Sequence, residues 1–149
     1  MSEVQKKQYS KGQVIFLAGS NETDLYYIES GKLMICVLKG SEVIPLSYLG
    51  PNEFLGELSF FDEQPRSATV IAIEDSVLST ISSDAKNKDF PKWLLSLAKS
   101  LTKKIRYSDE LIRKRGIRKR QVETIKPLSI EEQTQYYQMI KRYQETKGN

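Results

Sequence analysis

The chain has 149 residues, of which 39% are hydrophobic and 28% are charged, and its net charge is +4 at pH 7. It contains one cysteine, Cys36, and no histidine. These counts exclude an internal disulfide, the usual zinc-ligand sets and a catalytic Ser/His or Cys/His pair. We therefore expect no enzyme, no catalytic residues, no metal site and no cofactor, and a buried, inert thiol at Cys36.

The charge is divided unevenly along the chain. Residues 1–84 carry a net charge of −6 and residues 85–149 a net charge of +10. This asymmetry predicts two segments with different roles, of which the basic one suits an acidic partner. No signal peptide follows Met1, and no uncharged run approaches the roughly 20 residues of a membrane helix. We expect a cytoplasmic protein without a membrane span.

The segment 12–81 predicts short strands that are separated by turns containing glycine, serine or asparagine. The predicted strands are Val14–Leu17, Leu25–Ile28, Leu33–Leu38, Val43–Leu49, Thr69–Ile73 and Val77–Ile81. Such spacing is typical of an antiparallel sandwich or barrel. A jelly-roll-like barrel encloses a pocket large enough for one ligand.

The segment Phe54–Val70 has the residue types needed to hold a small anionic sugar phosphate. Gly56 permits a close approach of the backbone to a ligand, and Glu57 can accept hydrogen bonds from ribose hydroxyls. The run Leu58-Ser59-Phe60-Phe61 can form one helical turn whose free N–H groups face an anion.

The same segment continues with one arginine and two small residues. Arg66 supplies a planar, permanently charged donor for phosphate oxygens. Ser67 and Ala68 leave the following backbone open, and the hydroxyl of Ser67 can donate to phosphate. The alternative without a ligand is a turn between two strands with an incidental ion pair between Glu57 and Arg66.

The ordered segment resembles the phosphate-binding cassette of the cyclic nucleotide-binding domain family, and within it most closely the branch of catabolite activators. That branch shares the extra apolar residue in Phe54-Leu55-Gly56, whereas the separation of nine from Glu57 to Arg66 is nearer to that of kinase regulatory subunits. The resemblance also includes Asp24–Gly31, where a strand ends at glycine, and Pro45–Leu49. It covers about residues 10–82 and continues more weakly to residue 112. We use "cassette" below for residues 54–70.

The resemblance implies a fold, a ligand and its contacts. The fold is mainly β with C-terminal helices, namely a double-stranded β-helix, or jelly-roll-like β-roll, followed by a long helix. The ligand is cyclic AMP, with cyclic GMP possible because a hydroxyl at Ser67 can also serve guanine. The implied contacts are Arg66, Ser67 and the backbone near Leu58, Ser59 and Ala68 on the phosphate, Glu57 on the ribose, and Gly56 where the chain approaches the ligand.

Past Asp84 the pattern becomes helical, with a start at Phe90-Pro91 because proline suits a first turn. Apolar residues then recur at three- and four-residue steps. They are Trp93, Leu94, Leu97, Leu101, Ile105, Leu111 and Ile112. We expect half of this face to cover the barrel and half to face a second subunit, which gives a homodimer through the long helix.

Ser108 and Asp109 lie on the same predicted helix. The resemblance places them where catabolite activators use hydroxyl side chains to contact the base, and Ser108 could bond an adenine amino group. Asp109 departs from that hydroxyl pair because an ionised carboxylate accepts but does not donate. A pair on the exposed helix surface is the alternative, so the base preference stays open.

The sequence predicts a nucleotide-binding domain of residues 1–112. Residues 113–149 then form a basic segment and a terminal amphipathic helix, and they are not an independent domain. Arg113–Arg120 has six basic residues in eight. The alternatives for this run are a solvated segment, contact with an acidic protein, binding to anionic lipid, and non-specific binding to nucleic acid. Gly116 weakens helix continuity. Ser129 and Glu132 form a capping box for the last helix. Its apolar-aromatic face binds a protein partner or docks back on the domain: Tyr136, Met139, Ile140 and Tyr143.

The family's catabolite activators continue after the long helix with a winged helix-turn-helix. Only 37 residues follow Ile112, which is too few for that module, so we expect no specific DNA binding. The sequence thus predicts a stand-alone cyclic nucleotide sensor that signals through protein contacts of residues 113–149. The alternative is a protein-interaction adaptor that uses the same scaffold with a vestigial pocket.

Overall fold

The computed structural model describes residues 4–115 and 128–147. In chain order these residues form eight strands, a 3₁₀ turn and four α-helices. The strands are β1 (Gln5–Tyr9), β2 (Val14–Phe16), β3 (Leu25–Ser30), β4 (Leu33–Lys39), β5 (Glu42–Leu49), β6 (Phe54–Leu55), β7 (Thr69–Ala72) and β8 (Ser76–Ile81). The helices are α1 (Glu57–Asp62), α2 (Lys86–Asp89) after the 3₁₀ turn Ser83–Ala85, α3 (Lys92–Arg115) and α4 (Ile130–Lys147).

The strands form two four-stranded sheets in which every pairing is antiparallel. One sheet has the order β1-β8-β3-β6 and the other the order β2-β7-β4-β5. Side chains from both sheets share one buried core, in which Ile28 and Leu78 of the first sheet join Leu33 and Val70 of the second. The predicted fold class, a mainly β, jelly-roll-like β-roll followed by a long helix, is confirmed.

All six predicted strands are present, and two further strands were missed. β1 has the sequence QKKQY and buries only Tyr9, so neither alternation nor an apolar run marks it. It forms because its backbone pairs along β8 from Gln5 to Tyr9. β6 has only two residues and pairs with Tyr26 and Tyr27 of β3.

Gly31 lies at the turn between β3 and β4, where the resemblance predicted a glycine. Its φ is +100°, and a Cβ atom there would stand 2.0 Å from Ser76 Oγ and 2.6 Å from Ser76 Cα. A side chain would therefore be strained by the backbone and would collide with the start of β8. The lone cysteine, Cys36, is buried in β4, as predicted.

Helix α3 begins directly after Pro91, as predicted. Its least exposed positions are Leu94, Leu95, Ala98, Thr102, Arg106 and Leu111. Four residues of the predicted apolar face are 48–68% exposed: Trp93, Leu97, Leu101 and Ile105. We expected half of this face to be left for a second subunit, and that expectation stays a prediction. Elsewhere on α3, Arg106 is bonded to Asp62 of α1.

The described residues up to Asp109 form one compact unit and the described residues from Glu110 onward a second. The predicted division after Ile112 stays a prediction. In the second unit α4 begins with the predicted capping box, since Ser129 N–H donates to Glu132 Oε1 (3.0 Å) and Glu132 N–H donates to Ser129 Oγ (3.2 Å). The hydrogen bond from the backbone of Ser129, followed by one from its side chain, lowers the pKa of the Glu132 carboxyl group. The predicted kink at Gly116, most of the basic run and the side chains of the predicted α4 face lie outside the described residues.

Within the described ranges, no helix combines the length and the apolar character that a membrane crossing requires.

Candidate functional site

A cavity of about 180 Å³ lies beside the cassette. Seven residues that the sequence predicted as ligand contacts line it: Gly56, Glu57, Leu58, Ser59, Arg66, Ser67 and Ala68. The rest of the lining is apolar and comes from both sheets: Phe16, Ile35, Leu49, Phe54, Leu55 and Val70. The structure therefore brings the predicted cassette residues together around one space.

Gly56 connects β6 to helix α1 in a left-handed conformation, with φ +81°. A Cβ atom here would lie 2.5 Å from Arg66 Nη1 and 3.0 Å from the carbonyl oxygen of Asp24. The carbonyl of Gly56 accepts hydrogen bonds from Phe60 N–H (3.1 Å) and from Arg66 Nη1 (2.8 Å). The first amides of a helix have no carbonyl one turn earlier to bond. In α1 no side chain caps them either.

Arg66 is 3% exposed and is the one cation among the residues that line the cavity. Nε and Nη2 both donate to Glu22 Oε2, at 3.3 and 2.8 Å, and Nη2 also donates to the carbonyl of Asp24 at 2.5 Å. With the bond from Nη1 to Gly56, the guanidinium group makes four hydrogen bonds within the protein. Charge-assisted bonds of this kind are roughly twice as strong as neutral ones.

Aromatic rings and backbone bonds fix Arg66 further. The guanidinium carbon lies 4.2 Å from the ring centroid of Phe16 and 5.9 Å from that of Tyr26, distances at which a cation is attracted to the ring. Arg66 N–H donates to Ser20 O (2.9 Å), and Gly19 N–H donates to Arg66 O (2.7 Å). The loop between β2 and β3 thus holds both the main chain and the side chain of this arginine.

Glu22, in that loop, is the residue that sequence reasoning missed. Its Oε1 accepts hydrogen bonds from Tyr26 Oη and from Asp24 N–H, both at 3.0 Å. Burial, reinforced by the charge of Glu22, raises the pKa of Tyr26 far above its usual range. Arg66 pairs with Glu22 and not with Glu57, so the incidental pair weighed from the sequence does not form. Because 44 residues separate Glu22 from Arg66, no local spacing could have revealed their contact.

Helix α3 contacts the cassette through Arg106. Its guanidinium group donates from Nε to Asp62 Oδ2, from Nη2 to Asp62 Oδ1 (3.0 Å) and from Nη2 to Ser59 Oγ (3.5 Å). Asp62 ends helix α1, and Ser59 lines the cavity. The long helix is therefore bonded to the helical turn that borders the cavity.

The structure places Ser108 and Asp109 on α3, where both are exposed. The hydroxyl of Ser108 donates to the carbonyl of Lys104 (3.1 Å), one turn earlier. Neither residue is among those that line the cavity. Their predicted contact with a base stays a prediction.

The arrangement suits a ligand with an anionic group, hydroxyl groups and an apolar remainder. Arg66 provides one fixed positive charge, the start of α1 provides amides, and exposed Glu57 provides acceptors for hydroxyl groups. The apolar part of the lining can cover the rest of such a ligand. Across residues 4–115 and 128–147, no three potential ligand side chains cluster as a metal site would require.

Comparison with known proteins gives a family match over the β-roll. A sequence profile described as "Cyclic nucleotide-binding domain" matches residues 6–88. The "Cyclic AMP receptor protein" of Thermus thermophilus is 33% identical over 113 residues, which are 73% of this chain and 52% of that protein. The chain thus spans about half the length of this curated relative, and smaller shares of others, such as 21% of a cAMP-dependent protein kinase regulatory subunit from Hypocrea atroviridis.

Solved structures share the same fold. The EAL enzyme Bd1971 in its cAMP-bound form superposes with a TM-score of 0.63 at 33% identity, covering 71% of this chain and 29% of that one. The cGMP-bound form of the same enzyme gives a TM-score of 0.61 at 28% identity, covering 94% of this chain and 35% of that one.

Proposed function

This chain belongs to the cyclic nucleotide-binding domain family, and we propose that it binds cyclic AMP in the cavity beside the cassette and acts as a sensor with no catalysis of its own. The observation that carries the proposal is the placement of Arg66, a buried cation in the wall of a cavity whose remaining lining is mostly apolar. A buried positive charge favours an anionic ligand because the anion compensates for the hydration that the cation loses on burial.

The residues are assigned to the ligand as follows. Arg66 and Ser67 bind the phosphate together with the amides near Leu58, Ser59 and Ala68. Glu57 accepts hydrogen bonds from the ribose 2′-hydroxyl, and Gly56 allows the backbone to approach. All of these residues line one cavity, which supports the assignment. Ser108 and Asp109 contact the base only if α3 approaches the cavity when the ligand binds.

Cyclic GMP is the second candidate ligand. The relative from Thermus thermophilus is named for cyclic AMP, and the EAL enzyme has been solved with each nucleotide. Both facts concern those proteins, so for this chain the two nucleotides should be compared side by side.

Calorimetric titration of the purified full chain tests the proposal. Cyclic AMP should bind with one site per chain and a dissociation constant of about micromolar or tighter, or roughly −8 kcal/mol. Adenosine, which lacks the phosphate, is the matched control and should bind far more weakly. Absence of heat from both cyclic nucleotides at millimolar concentration would contradict the sensor and would favour the adaptor.

The contacts of Arg106 support coupling between the ligand and the long helix. A phosphate that reorients α1 changes the positions of Ser59 and Asp62, to which Arg106 is bonded. A ligand of this kind shifts the population of helix positions. Trp93, the one tryptophan of the sequence, lies on α3. Saturation with cyclic AMP should change its fluorescence, and an unchanged spectrum would count against the coupling.

The exposed stripe Trp93–Leu97–Leu101–Ile105 supports a homodimer through α3. Side chains four residues apart form one continuous apolar strip along a helix. We expect the full chain to sediment as a dimer at micromolar concentration, and Leu101→Glu to sediment as a monomer. Lys103→Glu, on an exposed position outside the stripe, should stay dimeric. A monomeric wild-type chain at every concentration would refute the dimer.

Output through a protein partner is proposed for residues 113–149, which follow a nucleotide-binding domain of residues 1–112 in a cytoplasmic protein. The net charge of +6 over residues 113–149, from ten Lys+Arg and four Asp+Glu, supports an acidic partner surface. Removal of residues 113–149 should abolish partner binding and leave cyclic AMP binding intact. Partner binding that survives the truncation would disprove this assignment.

A further inference from the structure

Arg66 already has an anionic partner in this structure. Resting on the proposed function, we propose that Glu22 is an internal counter-ion of Arg66 that opposes the phosphate of the ligand, so that Glu22 sets the affinity of the site. The inference concerns the ion pair between Arg66 and Glu22.

The hydrogen-bond count of the guanidinium group leads to this inference. An arginine has five N–H donors, and four hydrogen bonds from Arg66 end on Glu22, Asp24 and Gly56. One N–H of Nη1 remains. A phosphate that is bound in the usual bidentate way needs two parallel N–H groups, and the edge formed by Nε and Nη2 is occupied by a single oxygen of Glu22.

Of the three acceptors, Glu22 is the one that can give way. The acceptors on Asp24 and Gly56 are main-chain carbonyls, held by the flanking strand and helix. The side chain of Glu22 is 35% exposed, whereas that of Arg66 is 2% exposed. The carboxylate can therefore rotate toward water and regain solvation, while the guanidinium group cannot.

The opposition holds for either binding geometry. If the phosphate binds the edge formed by Nε and Nη2, it must displace Glu22. Breaking the ion pair between Glu22 and Arg66 then lowers the net free energy gained on binding. If the phosphate uses only the remaining N–H of Nη1 and nearby amides, Glu22 stays beside a second anion and repels it. In both cases a neutral side chain at position 22 favours the ligand.

Glu22→Gln isolates the charge. The amide oxygen can still accept hydrogen bonds from Tyr26 Oη and Asp24 N–H, which Oε1 accepts in the native chain, so the loop keeps its local bonds. The variant leaves the buried guanidinium group without its counter-ion, which destabilises the ligand-free chain. The phosphate then restores neutrality, so cyclic AMP should raise the melting temperature more in the variant than in the wild type.

The test is calorimetry on the full-length wild type and Glu22→Gln with cyclic AMP. The variant should bind about tenfold more tightly or better, while competition by adenosine should be equally weak in both proteins. Glu42→Gln makes the same change of net charge on the exposed start of β5 and should leave the affinity unchanged. Glu22→Asp keeps the charge but retracts it by one methylene, and should give an intermediate gain in affinity. This variant carries the test if Glu22→Gln folds poorly.

Equal or weaker binding by both Glu22 variants, with a wild type that binds, would overturn the inference and leave the proposed function standing. A wild type that binds neither cyclic nucleotide would overturn the proposed function, and the inference with it. A gain in Glu42→Gln as large as that in Glu22→Gln would also overturn it, because the effect would then belong to the net charge.

Discussion

Replacing Arg66 with leucine should weaken cyclic AMP binding by about 30- to 5,000-fold, because truncating one member of a buried, hydrogen-bonded charge pair costs about 2–5 kcal/mol. Arg66 is 3% exposed and lies in the wall of the cavity. Once its guanidinium group is removed, a bound phosphate has no cation beside it and has lost part of its hydration. Calorimetry with the full chain measures the loss.

The control has to separate binding from folding, since Arg66→Leu leaves the carboxylate of Glu22 without its ion pair. The double variant Arg66→Leu/Glu22→Gln removes both charges, and its melting temperature should recover toward that of the wild type. It should still bind cyclic AMP about 30-fold more weakly than the wild type, or worse. Arg66→Lys keeps the charge without the planar pair of N–H groups that binds two phosphate oxygens. Its affinity for cyclic AMP should fall between those of the wild type and the double variant. Wild-type affinity in the folded double variant would show that Arg66 does not hold the ligand.

Replacing Gly56 with alanine should reduce both stability and cyclic AMP affinity. Its φ of +81° belongs to the left-handed region, which costs a residue with a side chain about 1–2 kcal/mol. The added Cβ would also lie 2.5 Å from Arg66 Nη1. Relief of that collision moves the guanidinium group away from the carbonyl of Gly56, so we expect a total stability loss of about 2–5 kcal/mol and an affinity about tenfold lower or worse.

Gly12→Ala is the matched control for backbone strain. Gly12 has a φ of +90°, but nothing lies within 4 Å of a Cβ built there. This variant should lose only about 1–2 kcal/mol of stability and should bind cyclic AMP as the wild type does. Urea unfolding and calorimetry on both variants decide the matter. Equal losses of affinity in the two would mean that strain alone, and not the contact with Arg66, explains the effect at Gly56.

Local patterns in the sequence predicted most of the fold. Val14–Leu17 and Leu33–Leu38 are apolar runs bounded by turn residues, and each became a strand because burial of such runs needs only a partner sheet. The cassette could be predicted because its glycine, carboxylate and arginine follow one another within a short stretch. Its helical turn is seen as α1.

The rest depended on tertiary contacts. β1 is polar and forms only because β8 offers a backbone edge. The bond between Glu22 and Arg66 and that between Arg106 and Asp62 each span 44 residues, a distance at which one sequence gives no sign of proximity. The face of α3 that approaches α1 also includes a contact that the apolar pattern did not reveal, the ion pair between Arg106 and Asp62.

These contacts change the description of the cassette. The sequence alone predicts Arg66 as a cation that is available to bind a phosphate. In the structure it is held by Glu22, two carbonyls and two rings. If the proposed function holds, we expect ligand capture to depend on the loop between β2 and β3 as much as on the cassette.

The most direct measurement is calorimetric titration of cyclic AMP into the purified full chain, run beside the folded double variant Arg66→Leu/Glu22→Gln. We predict saturable binding with one site per chain for the wild type, and binding that is about 30-fold weaker or worse for the double variant. Failure of the wild type to bind cyclic AMP or cyclic GMP at millimolar concentration, or equal binding by both proteins, would contradict the account.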